Sequence, residues 1–468
     1  MASLLDLPNE ILLIVVSHFN HFVHREALQA LCLCSKRLYS ISQPFLYDQY
    51  IREVHCQCCH KNGTPPGHIV PLVLFTRTLI SRPDLAARVR SANFDNSKDA
   101  FDDDIVREAE LDADTFEVLA AGFQQLPAAY RARWFMKGAA MKSNPYILVL
   151  ASRMPNLEHL QLTLGEEGLH GLGPLFTQWF ASGIDHQPYF KNLKSVVIRD
   201  LTYTESVSMF NLEYVLKLPR LEEFTLTYLN GNADGCPLFD IKPDTLNIST
   251  LSLMDACLDA ESLTEIVAGC KCLKDFSYYG CNYDVDNIAE SGQFDPSELV
   301  SILSSQKDNL RTIRCSLDWG DIYPTHWERC SKYGSFAPFK NLMHLELDQY
   351  PYTPKQELPS SLHCLTIRNI SFSIFDTLES LDMRTTDMPE YEFYNMLPNL
   401  EFVTLQPRDD VPNGMLEVRA RYNHLEIYDN PGVASKFDFA CETLWNIVKE
   451  FSFFVRIQHD VWANFRGL

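Results

Sequence analysis

Long apolar runs are missing from this sequence. The run Ile11–Val16 comes nearest to a signal-peptide core, but it is short, has no basic leader and follows Asp6 and Glu10. No stretch approaches the roughly 20 apolar residues that a membrane-spanning helix needs. A disulfide framework is missing too, because the 14 cysteines are spread over 468 residues and several stand in apolar patterns. We expect reduced thiols, no membrane partner and a cytoplasmic or nuclear location.

Motifs of the common enzyme classes are also absent. The sequence contains no His-Glu-x-x-His zinc site and no Gly-x-Ser-x-Gly nucleophile turn. Its glycine-rich stretch, Gly165–Pro174, lacks the Lys-Ser/Thr pair of a phosphate-binding loop. The acidic run Asp99–Asp104 lacks the Gly and Glu spacing of a calcium loop. We therefore expect a protein that is not an enzyme and holds no cofactor.

Basic residues are scarce. Lys and Arg number 40 against 61 Asp and Glu, which gives a formal net charge of −21. Residues 1–150 are almost balanced, with 15 basic and 16 acidic side chains, so residues 151–468 carry 25 and 45. Binding to phosphate backbones needs a clustered basic face, and this balance argues against a nucleic-acid partner.

The first fifty residues are rich in apolar helix formers. The pattern predicts one helix over Asn9–Phe19, apolar on nearly all sides, and a second over Glu26–Ile41 that Pro44 closes. Pro8 and Glu10 suit the start of the first helix, where a missing N–H is harmless and a negative charge is favourable. A module of this size cannot cover all its apolar side chains by itself, which indicates contact with another protein.

These residues resemble an F-box. The resemblance lies in Leu7-Pro8-x-Glu10-Ile11-Leu12, Val16, Phe19, Leu28, Leu31, Cys34-Ser35-Lys36-Arg37-Leu38 and Leu46-Tyr47. It implies a helical trio that docks on the Skp-type adaptor of a cullin-RING ubiquitin ligase. The contacts that it implies are Leu7, Pro8, Ile11, Leu12, Leu28 and Leu31.

Beyond this module the sequence repeats Leu-x-x-Leu-x-Leu with apolar substitutions. Ten copies begin at Leu157, Leu193, Leu221, Ile248, Leu273, Leu310, Leu342, Leu362, Leu400 and Tyr422, spaced 20 to 38 residues apart. Several follow a lead-in such as Pro155-Asn156 or Lys191-Asn192, and Val89-x-x-Ala92-x-Phe94 is an early degenerate copy. This period is typical of leucine-rich repeats, in which each unit adds one strand to a curved parallel sheet. The whole chain resembles F-box proteins of filamentous fungi with irregular leucine-rich repeats.

The fold we predict is therefore α/β: an F-box at 1–50, a helical linker at 51–150 with one degenerate repeat, a leucine-rich-repeat solenoid at 151–440 and a helical cap at 441–468. In such a solenoid the residues beside each inner strand position face the concave surface. The predicted ladder is close to neutral, so the acidic surplus belongs to other surfaces. Charged or aromatic ladder residues are the candidates for substrate binding: Tyr279, Arg314, Glu346, Asp348, Arg368 and Tyr428.

A cluster of Cys and His follows the first module. Cys56-x-x-Cys59 is half of a zinc site, and His60 or His68 would add further ligands. A second pair of the usual spacing is missing, so we favour a turn with reduced thiols and predict no metal.

The F-box resemblance, taken with the repeats, implies the substrate-recognition subunit of an SCF-type ligase, with the F-box bound to a Skp-type adaptor, and through it to a cullin, and the repeats bound to an unknown protein substrate. The alternative is a leucine-rich-repeat scaffold that links proteins without any ligase.

Overall fold

The structure is a computed structural model, and it describes the chain in segments. The described residues are 7–19, 24–51, 69–94, 113–124, 149–150, 152–164, 190–200, 212–227, 241–280, 294–317, 331–348, 351, 357–370, 399, 402–407, 418–421, 424–427 and 454–457. The chain divides into two compact units, Met1–Leu226 and Thr227–Leu468.

Unit 1 begins with three helices: α1 (Asn9–Ser17), α2 (Arg25–Cys34) and α3 (Lys36–Leu46). The single helix predicted over Glu26–Ile41 is wrong, because Ser35 is extended (φ −162°, ψ 157°) and separates α2 from α3. The Ser35 hydroxyl caps α3 by accepting a 3.1 Å hydrogen bond from the N–H of Leu38. Pro44 does not close the helix either, since it lies inside the last turn of α3.

The three helices share one apolar core, formed by Leu12, Val16, Leu28, Leu38 and Ile41. Leu12 and Val16 stand four residues apart and therefore lie on the same side of α1. Arg37 of α3 ties down the start of α1, because Nη2 donates to the Leu7 carbonyl at 2.6 Å and Nε donates to Asn9 Oδ1 at 2.8 Å. The module is thus held by burial inside and by one arginine at its edge.

The rest of unit 1 alternates strands and helices. Its strands are β1 (Gln49–Ile51), β2 (Ser91–Phe94), β3 (His159–Leu164), β4 (Ser195–Asp200) and β5 (Glu223–Thr227, of which all but the last residue belongs to unit 1), and they lie in chain order. The pairings from β1 to β4 are parallel. The helices are α4 (Ile69–Ser81), α5 (Pro83–Ala86), α6 (Ala113–Gln124) and α7 (Leu212–Leu216). The degenerate copy at Val89 therefore forms a strand, as predicted, whereas β1 was not predicted.

Unit 2 continues the same alternation. Its strands β6 (Thr250–Ala256), β7 (Asp275–Gly280), β8 (Thr312–Ser316), β9 (His344–Asp348), β10 (Cys364–Ile370) and β11 (Phe402–Pro407) are ordered as in the chain and pair in parallel. The helices α8 (Ala260–Gly269) and α9 (Leu299–Leu303) follow β6 and β7, and α9 lies between two short 3₁₀ turns. Asp259 caps α8 by accepting a 2.7 Å hydrogen bond from the N–H of Ser262. The α/β class and the parallel sheet are confirmed.

The end of the chain departs from the prediction. The copy at Tyr422 forms β13 (His424–Ile427), which pairs antiparallel with β12 (Val418–Arg421) in a separate two-stranded sheet. The predicted helical cap at 441–468 contains β14 (Phe454–Ile457), which pairs in parallel with β11. Leu-x-x-Leu-x-Leu marks apolar alternation, and alternation alone does not determine which strand becomes the neighbour.

Alternation along the strands divides the sheet of unit 2 into an apolar and a polar face. One face carries the apolar strand residues, each of which is at most 1% exposed. They are Leu251, Leu253, Phe276, Tyr278, Ile313, Cys315, Leu345, Leu347, Leu365 and Ile367. The helix α8 contributes Leu263, Ile266 and Val267 to the buried core. The intervening strand residues form the opposite face, which is largely polar.

The asparagines of the lead-ins connect one strand segment to the turn that precedes the strand before it. Asn156 Nδ2 donates to the carbonyl of Ala87 at 2.8 Å, and Asn192 Nδ2 donates to that of Pro155 at 3.1 Å. In unit 2, Asn341 bonds the Asp308 carbonyl and Asn399 the Ser360 carbonyl, at 2.6 and 3.0 Å. Each bond spans 33 to 69 residues of sequence, so the repeated Asn supplies a donor to a turn carbonyl that the sheet leaves unpaired.

Candidate binding surfaces

The first candidate surface lies on the N-terminal helices. Four apolar residues of α1 are largely exposed. Their exposed fractions are 43% for Ile11, 51% for Leu13, 54% for Ile14 and 38% for Val15. Leu33 of α2 is 88% exposed, and Tyr39 of α3 is 41% exposed. Only two other large apolar side chains of the described segments, Leu74 and Met343, are this exposed. We call the six residues on α1–α3 the apolar surface of the module.

The six adaptor contacts that the F-box resemblance implies are not the same set, and they fall into three groups by exposure. Pro8 and Ile11 are exposed, and Leu7 and Leu31 pack partly against the core of the module. Leu12 and Leu28 are 1% and 0% exposed inside that core, so the prediction that they contact a partner directly is corrected. The reason is that only one face of α1 packs into the core of the module, and Leu12 and Val16 form that face. Leu13, Ile14, Val15 and Leu33 take their place at the surface.

The second candidate surface is the polar face of the sheet in unit 2. Its middle row comprises Ser277, Arg314, Glu346 and Thr366, which are paired from strand to strand. The next row contains Tyr279, paired with Ser316, and Arg368, paired with Asp348. Five of the six candidate substrate residues therefore stand on neighbouring strands, as the ladder pattern predicts. The sixth, Tyr428, lies outside the described residues.

Glu346 is the centre of these contacts. Its Oε1 atom accepts a 2.9 Å hydrogen bond from Arg368 Nη1 and a 3.1 Å hydrogen bond from the Tyr279 hydroxyl. Its Oε2 atom lies 3.7 Å from Arg314 Nε. The Arg368 guanidinium also lies over the Tyr279 ring, 5.1 Å from the centroid, which adds a cation–π contact. We call Tyr279, Arg314, Glu346 and Arg368 the Glu346 cluster.

The tyrosine of the cluster stays protonated. Burial, reinforced by the neighbouring Glu346 carboxylate, raises the pKa of Tyr279 well above its ordinary value. Its hydroxyl therefore remains a hydrogen-bond donor at physiological pH. The arrangement offers charge and hydrogen bonds to a ligand, but no nucleophile with a lowered pKa.

Asp348 has a different role from the one predicted. It is 0% exposed, and its carboxylate accepts a 2.8 Å hydrogen bond from the Ser316 hydroxyl and a 2.6 Å hydrogen bond from the N–H of Leu317. A buried carboxylate that is held in this way fixes the backbone where β8 ends. The prediction that Asp348 contacts a substrate is therefore corrected, because its side chain does not reach the surface.

Two members of the polar face are not among the candidate residues: Ser277, which the ladder pattern places on this face, and His344, which it omits. Ser277 Oγ lies 3.5 Å from Arg314 Nη1. His344 lies at the start of β9, and burial together with nearby Arg314 lowers its pKa. Both occupy the alternate strand positions that define the ladder, so extending the ladder by one position, which is two residues, toward the start of β9 identifies His344. Its type alone gives no signal.

The possible metal ligands Cys56, Cys59, His60 and His68 lie outside the described residues. Within the described segments, no group of three or more His, Cys, Asp or Glu is arranged to hold a metal ion. No helix there is both long and apolar enough to cross a bilayer. The chain matches no protein-family model and no curated protein sequence.

Proposed function

We propose that this chain is the substrate-recognition subunit of an SCF-type cullin-RING ubiquitin ligase. In this proposal α1–α3 form an F-box that binds the Skp-type adaptor. The strand and helix units that follow form an irregular leucine-rich-repeat solenoid that binds the protein to be ubiquitinated. The chain performs no chemistry itself, because other subunits supply the ubiquitin transfer.

The observation that carries the proposal is the concentration of exposed apolar side chains on the N-terminal helices. Six of the eight large apolar residues with high exposure in the described segments belong to α1–α3, although that module already has a core of its own. Exposed apolar patches on a small module mark surfaces that bind other proteins. The F-box resemblance supplies the partner, which is the adaptor.

The sheet supports the second half of the proposal. Strands in chain order with parallel pairing are what a repeat array requires, and the asparagine bonds between successive units add a repeated link. One face of the sheet is filled with apolar side chains, whereas the other keeps charged and aromatic groups at fixed positions. A rigid polar face of this kind suits recognition of another protein.

Capture of a purified Skp-type adaptor by the full-length chain tests the proposal. We expect the wild-type chain to retain the adaptor and the double variant Ile14→Asp/Leu33→Asp to lose it, since both residues are exposed and neither supports the core. Met343→Asp is the matched control, because Met343 is 38% exposed but lies on unit 2. Circular dichroism of all three proteins verifies that they are folded. If the wild-type chain fails to retain the adaptor, the ligase proposal is wrong and a scaffold without ligase association remains.

A further inference from the structure

Arg314 differs from the other charged residues of the Glu346 cluster in how loosely it is held. In the described part of the chain its polar contacts are with Ser277 Oγ, 3.5 Å from Nη1, and with Glu346 Oε2, 3.7 Å from Nε. Close N–H···O hydrogen bonds are 2.7 to 3.2 Å long, and a guanidinium has five N–H donors. Among the residues that the structure describes, most of the donor capacity of Arg314 is therefore unused.

Its exposure points the same way. The Arg314 side chain is 45% exposed, against 15% for Glu346 and 16% for Arg368. Arg368 is already engaged by Glu346 and by the Tyr279 ring, and Asp348 is buried. Arg314 is thus the accessible cation of a surface whose other members hold one another in place.

The neighbours of Arg314 cancel its charge only in part. Glu346 shares its negative charge with Arg368, to which it is more closely bound. Burial and Arg314 itself lower the pKa of His344, which disfavours a second positive charge beside Arg314. Asp275, the remaining carboxylate on this face of β7, pairs with Thr312, whereas Arg314 pairs with Ser277 in the next row.

We propose that Arg314 binds an anionic side chain, a carboxylate or a phosphorylated serine, on the protein segment that occupies the polar face. With Nε turned toward Glu346 and Nη1 toward Ser277, the guanidinium is oriented and its Nη2 amino group is left for the ligand. Planar, charge-assisted pairing with a carboxylate or phosphate is the recognition for which arginine is best suited. The inference rests on the proposed function in one respect, namely that the occupant is a protein.

Selection from a peptide library tests this inference on the full-length chain. The probes are random dodecapeptides on beads, in one set that contains Asp and Glu and a second in which phosphoserine is added. Selected peptides are then measured by fluorescence polarisation against the wild-type chain, Arg314→Gln, Arg314→Lys and Arg199→Gln. Arg199 is the matched control, because it is an exposed strand arginine of β4 in unit 1.

We expect the selected peptides to share one acidic or phosphorylated position. Their affinity for Arg314→Gln should fall about tenfold to a hundredfold, with a smaller loss for Arg314→Lys, which keeps the charge but not the planar fork. Arg199→Gln should bind as the wild type does. The set from which the best peptides come distinguishes a carboxylate from a phosphate.

Peptides without a shared anionic position, equal binding to Arg314→Gln, or a library that yields no binder would each overturn the inference. Adaptor capture is measured on the same Arg314→Gln protein. Retained adaptor with unchanged peptide binding means that only the role of Arg314 is wrong, whereas Arg314-dependent peptide binding without adaptor capture means that only the ligase proposal is wrong.

Discussion

Arg368 donates a 2.9 Å hydrogen bond from Nη1 to Oε1 of Glu346, although the two residues stand 22 positions apart in the chain. The parallel register of β9 and β10 makes this contact possible, because it pairs Arg368 with Asp348, two residues beyond Glu346 on the same face. Both side chains are mostly buried, at 16% and 15% exposure. Their pairing is therefore screened less by water than a surface salt bridge would be.

A double-mutant cycle measures this pairing. We expect Glu346→Gln and Arg368→Gln to show a coupling free energy of about 0.5–3 kcal/mol, because the two groups share one hydrogen-bonded contact. Native-state hydrogen exchange of β9 and β10 amides gives the local stability. The exposed pair Arg82 and Asp84 is the control and should couple more weakly. Additive effects of the two cluster variants would contradict the structure.

Leu28 and Leu33 lie on the same helix and separate a structural from a binding role. Leu28 is 0% exposed and Leu33 is 88% exposed. Truncation of a buried leucine costs about 2–5 kcal/mol, so Leu28→Ala should greatly increase amide exchange across α1–α3. Leu33→Ala should change stability by no more than about 0.5 kcal/mol. Equal effects of the two substitutions would refute the assignment of Leu28 to the core.

Substitution of Asn156 tests whether the lead-in asparagines stabilise the sheet through their hydrogen bonds. Asn156→Ala removes the 2.8 Å hydrogen bond to the Ala87 carbonyl and should cost about 1 kcal/mol. Asn156→Asp should cost more, since an ionised carboxylate cannot donate and repels the carbonyl oxygen. Exchange rates of β2 and β3 amides report both changes. An Asp variant as stable as the wild type would show that the hydrogen bond does not support the sheet.

The lowered pKa of Glu158 should make the stability of the folded chain depend on pH. Hydrogen bonding to Lys194, helped by Arg90, lowers the pKa of Glu158 in the folded chain. The stabilisation is then fully present above the unfolded glutamate pKa of about 4.3 and is lost as pH falls through the lower folded value. Melting temperatures of wild type and Glu158→Gln should therefore differ at pH 7 and converge in acid. Glu223→Gln, an exposed glutamate of β5, is the control. A difference that stays constant down to pH 3 would contradict the ion pairs.

The repeat pattern predicted most of the sheet because the period of a strand is two residues and the apolar positions must all face one core. The positions of Tyr279, Arg314, Glu346 and Arg368 on one face follow from the same rule. Their mutual contacts do not, since they depend on the register between strands and on long side chains that cross from one row to the next.

Three features could not be predicted from the sequence, and each has a physical reason. Apolar residues surround α1, so composition alone does not determine which of Leu12 and Ile14 faces the core; packing against α3 determines it. Asp348 looks like any exposed strand carboxylate in the sequence, but the N–H of Leu317, the residue after β8, donates to it. The strand β14 pairs with β11 across a long stretch of chain, and no local pattern encodes such a distant partner.

Calorimetric titration of the Skp-type adaptor into the full-length chain at several temperatures is the decisive measurement of adaptor docking. If the apolar surface of the module docks the adaptor, binding is one to one and has a negative heat-capacity change, since apolar burial produces that sign. The heat-capacity change should vanish together with binding in Ile14→Asp/Leu33→Asp and persist in Met343→Asp. Absence of binding by the wild-type chain, or undiminished binding by the double variant, would contradict the account.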